Sequence, residues 1–158
     1  MKTKLSILLL FFCMVIFAQR KTIAELYKTN SFEAAIFPIE NDSSFPTPDF
    51  TPSRSEVDLA EKALIKDLKN LNHSLINQSN TPIIHKNLKK YCRQYSGYIN
   101  KDGDRILLIN CFWKSNKEVY KNFLYIYIYI LDGGSFYWNV KYNIETGKLY
   151  DLNINGEG

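Results

Sequence analysis

Phe136-Tyr137-Trp138-Asn139-Val140-Lys141-Tyr142-Asn143-Ile144-Glu145-Thr146-Gly147-Lys148-Leu149-Tyr150-Asp151-Leu152-Asn153-Ile154 decides the fold class. Phe136, Trp138, Val140 and Tyr142 alternate with Tyr137, Asn139, Lys141 and Asn143. A period of two puts these two sets on opposite faces of a strand. Glu145 to Lys148 supplies a turn, and Leu149 to Ile154 alternates again, so the stretch predicts an antiparallel hairpin with one apolar face.

Working back toward the N-terminus, the same period recurs. Tyr91 to Ile99 and Arg105 to Trp113 predict two strands around the Asn100–Asp104 turn, where Gly103 supplies a positive φ. Phe123 to Leu131 alternates Leu124, Ile126, Ile128 and Ile130 with Tyr125, Tyr127 and Tyr129, which predicts a further strand before the Asp132–Ser135 turn. Upstream the period lengthens. Val57, Ala60, Leu64, Leu68 and Leu71 recur at three and four, which is a helix stripe. Ser53 and Glu56 have capping-box spacing just after Pro52. The expected fold is therefore α+β: one N-terminal helix packed on a four- to five-stranded antiparallel meander.

The chain divides at three levels. Residues 1–18 run from basic (Lys2, Lys4) through an apolar stretch (Leu5 to Phe17) to Ala18, the layout of a cleavable signal peptide. That stretch falls short of the ~20 residues a bilayer span needs. The expectation is export to the periplasm or the extracellular space, with no stable membrane span. Residues 19–52 read as an extended N-terminal segment, broken by Pro46, Pro48 and Pro52. Residues 53–158 hold the helix and sheet. The first 18 residues carry two lysines and no acid, which leaves 18 basic residues against 16 acidic. So slight a surplus argues against nucleic-acid binding, which needs concentrated positive charge.

The hairpin Trp138 to Leu149, with Thr146-Gly147-Lys148 at its turn, resembles the terminal hairpin of PepSY-type domains. The order of helix then meander over 53–158 is similar to the cystatin-like arrangement. That resemblance implies a secreted binder or inhibitor of proteases. The Gln-x-Val-x-Gly loop of protease-inhibiting cystatins has no counterpart, since Gln94-Tyr95-Ser96-Gly97-Tyr98 departs from it.

No catalytic set emerges, and no cofactor is expected. His73 and His85 stand apart in a polar connection, and zinc wants three or four clustered ligands, so no metal is expected. Cys92 and Cys111 both fall on the first hairpin, and register decides whether they meet. A four-residue loop opposes positions adding to 203, as 92 and 111 do. A two-residue loop gives 205 and offsets them. A three-residue loop with a bulge gives 204 and puts them on opposite faces. Lys86, Lys89, Lys90 and Arg93 form a local basic cluster beside Tyr91 and Tyr95.

The tyrosine face is the expected site. Tyr125, Tyr127 and Tyr129 would stand in a row, with Tyr137, Asn139 and Lys141 alongside. Either a protein partner covers this face, or residues 19–52 cover it with Phe32, Phe37, Phe45 and Phe50. The functional expectation is a non-catalytic module acting by protein contact. The alternative is a small-ligand carrier or enzyme with a cavity between helix and sheet, lined by Tyr95, Trp138 and Tyr142. Partner identity and oligomeric state are not written in the sequence.

Overall fold

The computed structural model describes residues 24–39 and 47–157. The expected signal peptide, Phe45 and Pro46 lie outside the described residues. Two short strands come first, β1 (Glu25–Lys28) and β2 (Glu33–Ile36). They are followed by helix α1 (Arg54–Leu71), then β3 (Tyr91–Ile99) and β4 (Arg105–Trp113). A short helix α2 (Lys117–Asn122) precedes β5 (Tyr137–Asn143) and β6 (Lys148–Ile154).

All six strands form one sheet in the order β1-β2-β3-β4-β5-β6. Every neighbouring pair is antiparallel except β2 and β3, which run parallel. The expected fold class is thereby corrected. Among the described residues the sheet has six strands, and the one long helix sits between β2 and β3 rather than ahead of the strands. A parallel pair needs a long crossover, and α1 lies within that crossover. Ala34, Ala35 and Ile36 of β2 are fully buried beside β3, so the segment ahead of the helix belongs to the sheet's interior.

Helix α1 starts where its chemistry says it should. Ser53 caps it: the Glu56 N–H donates to Ser53 Oγ, and the Ser53 N–H donates to Glu56 Oε2. Such a cap stabilises a helix by about 1 kcal/mol. Val57, Ala60, Leu64 and Leu68 are buried against Tyr91, Tyr95, Leu107, Ile109, Trp138 and Val140. Tyr95, Trp138 and Tyr142 are thus packed in the core between helix and sheet.

The second correction concerns residues 123–131, which form no strand. After α2 the chain turns, with the Tyr125 and Ile126 N–H groups both donating to Asn122 O. It then runs irregularly across the sheet face opposite α1. Phe123 and Ile128 are buried there with Ala35, Phe37, Cys92 and Phe112. Ile126, Tyr129 and Leu131 stay exposed. Both faces of β3 are therefore covered, and seven of its nine residues are buried. Among the described residues, no helix is long and apolar enough to cross a membrane.

Candidate partner-binding groove

The register places four side-chain amides in one row. Gln94 of β3 pairs with Asn110 of β4, Asn110 with Asn139 of β5, and Asn139 with Asn153 of β6. The alternation of each strand sends all four to the face away from α1. Asparagine is disfavoured in strands, and a buried carboxamide is costly unless bonded, so such a row needs a physical reason.

For the first half of the row the reason is visible. Gln94 is fully buried, and its Nε2 donates to the carbonyls of Phe123 and Ile126, both at 2.8 Å. Its Oε1 accepts from the Ile128 N–H at 2.8 Å and from Asn110 Nδ2 at 3.0 Å. Asn110 Nδ2 also donates to Ile128 O at 2.7 Å. These two amides thus take the place of a neighbouring strand and satisfy the main chain of the irregular segment. Asn155 does the same further along, donating to the carbonyls of Ile130 and Asp132.

The second half of the row opens into a groove of about 190 Å3 between this segment and β5–β6. Tyr127, Tyr129 and Leu131 form one wall, and Tyr137, Asn139 and Asn153 line the other. The side-chain amides of Asn139 and Asn153 make none of the side-chain hydrogen bonds found among the described residues. Tyr137 is fixed from outside, its hydroxyl accepting from Asn116 Nδ2 at 2.7 Å. Tyr127 packs edge-on against Phe37 with ring centres 6.1 Å apart, and burial pushes its phenol well above the usual range.

Four of the six expected site residues are therefore brought together: Tyr127, Tyr129, Tyr137 and Asn139. Tyr125 lies in the turn after α2 and does not line the groove. Lys141 sits one outward position further along β5, where Asp151 Oδ2 pairs with its Nζ at 2.5 Å. That hydrogen bond holds the Lys141 ammonium above its ordinary range. Asp151 takes a positive φ of 53° at the irregularity where β6 slips against β5. Of the phenylalanines expected over the tyrosines, Phe37 touches Tyr127, whereas Phe32 and Phe50 pack with the helix-side core. Asn110, Asn153 and Asn155 were missed by sequence reasoning. The available signal was an amide at the outward position of successive strands, which becomes a row only once register is known.

The first hairpin adopts the three-residue loop. Asn100 and Asp104 close it, and Arg93 rather than Cys92 lies opposite Cys111. Cys92 and Cys111 are accordingly free thiols on opposite faces, each in a different apolar cluster. The bridge weighed from the sequence does not form. Burial pushes the Cys92 thiol up to about 12 and raises Cys111 strongly as well, which suits packed thiols and not nucleophiles. Among the described residues, no three His, Cys, Asp or Glu side chains gather to hold a metal. Comparison of the chain with family models, with curated proteins and with solved structures finds no match.

Proposed function

We propose that this chain is an exported, non-catalytic binding module that holds an extended segment of a partner protein in the outer groove. One observation carries the reading. Gln94 and Asn110 bind the main chain of residues 123–128, and Asn139 and Asn153 continue the same row into the groove. A partner backbone laid beside the chain's own segment would meet the same donor-and-acceptor pattern. Tyr129 and Tyr137 would flank it with broad aromatic surface of the kind interfaces favour. Export rests on the basic-then-apolar N-terminus.

Peptide display against the purified chain tests this. Enriched peptides should shift the side-chain amide resonances of Asn139 and Asn153. Two lost amide-to-backbone hydrogen bonds are worth about 2 kcal/mol. The Asn139→Leu/Asn153→Leu double variant should therefore weaken binding roughly thirtyfold. Peptides that bind both forms equally would defeat the proposal, as would a screen that enriches none.

A further inference from the structure

The basic cluster of the sequence gains a setting in the fold. The 3-10 turns at Ile84–Lys86 and Leu88–Lys90 curl beside the middle of α1 and enclose a cavity of about 370 Å3. Lys86, Lys89 and Lys90 line it, and their side chains are exposed. None of the three takes part in an ion pair among the described residues. Lys90 Nζ lies 5.4 Å from the centre of the Trp113 ring. Ile65 and Leu88 add apolar wall.

Arg93, only 1 % exposed, also lines the cavity. Its Nη1 donates to Tyr91 O at 2.7 Å. Its Nε faces Glu61 Oε1 at 2.7 Å without hydrogen-bond alignment, so that buried N–H is left unsatisfied. Glu61 is the one carboxylate in the lining, and Arg93 and the Tyr95 hydroxyl already engage it. The three lysines therefore face the cavity without a counter-charge. His85 joins them as a donor, for a reason that can be traced. The Ile84 N–H fixes Gln78 Oε1 as an acceptor, so Gln78 Nε2 donates to Asn72 Oδ1. Asn72 Nδ2 is then left to donate to His85 Nδ1, which places the imidazole proton on Nε2.

We propose that this cavity binds a phosphate monoester carried on an apolar body. Three exposed ammonium groups can act as point charges around a compact dianion, which binds lysines more strongly than a singly charged carboxylate does. Here the one arginine is already paired. Ile65 and Leu88 would hold the apolar body. The same phosphate chemistry occurs on soluble esters and on lipid headgroups.

Trp113, beneath Lys90, gives a readout. Phenyl phosphate should change the tryptophan fluorescence of the purified chain saturably, and bind more tightly than inorganic phosphate. Phenol at equal concentration should give no saturable change. Lys86→Gln/Lys89→Gln should weaken phenyl phosphate binding by about tenfold or more, with the melting curve unchanged. Sedimentation with phosphatidic acid vesicles, and not with phosphatidylcholine vesicles, would assign the phosphate to a lipid surface. Binding to the soluble ester alone would assign a free ligand. The proposal is overturned by no response to either phosphate source, by equal binding of benzoate, or by a double variant that binds as the parent does.

Discussion

Gln94→Met is the most informative single change. Methionine keeps the length and volume of glutamine but removes all four hydrogen bonds that its carboxamide makes. At about 1 kcal/mol net for each bond, the loss is about 4 kcal/mol. Orphaning the buried Ile128 N–H adds to this, and water reaching the part-buried Ile126 carbonyl subtracts from it. The net expectation is about 3–5 kcal/mol. That exceeds what a local contact can absorb, so the loss should appear as release of residues 123–131 while the sheet persists. Urea unfolding gives the magnitude, and hydrogen exchange at the Ile128 amide locates it. Asn139→Met in the same row is the control, since the Asn139 side chain makes no hydrogen bond among the described residues, and should cost under about 0.5 kcal/mol. If Gln94→Met lost less than about 1 kcal/mol and left the Ile128 amide protected, the carboxamides would not be what pins the segment.

Arg93→Met strands the buried Glu61 carboxylate and should cost about 3–5 kcal/mol, whereas adding Glu61→Leu should recover at least half; thermal melts compare the two. Gly97→Ala would bring a methyl group within 2.6 Å of Phe50 Cε2 and 2.7 Å of Phe50 O. It should cost about 1–3 kcal/mol in denaturant unfolding, with faster exchange at the Asp49 and Phe50 amides that donate to Gly97 O. Burial, with Lys86 and Lys69 nearby, holds the His85 imidazolium below its ordinary range. The unfolded chain therefore takes up that proton first, and the native state loses stability as pH falls through about 6.5. Chemical denaturation across that window should show a flatter pH slope for His85→Gln than for the parent; identical slopes would remove His85 as the cause.

Much of this fold is legible wherever local chemistry and tertiary context agree. The Ser53 capping box and the stripe from Val57 to Leu68 predict α1, and alternation predicts β3 through β6 to within a residue or so. Legibility fails at two places for different reasons. Glu33-Ala34-Ala35-Ile36 has the composition of a helix turn, and only burial between β1 and β3 makes it a strand. Residues 123–131 alternate well enough for a strand, yet Gln94 and Asn110 meet their main chain side-on with carboxamides instead of offering a strand edge. The groove inherits that second failure. Its tyrosines and Asn139 were foreseeable as outward residues, but the row from Asn110 to Asn153 depends on the registers of β4 with β5 and of β5 with β6, and its extension to Gln94 on the one that the Lys101–Gly103 loop sets.

The lone parallel pairing also orders events in time. Ala34 meets Arg93, so the β1–β2 hairpin finds its seat 59 positions further along the chain. A two-stranded hairpin on its own is marginal in water. Joining ends that far apart costs ~3.6 kcal/mol in chain entropy before any contact compensates. The first hairpin of the sheet is therefore among the last parts to settle, since its seat on β3 lies far along the chain.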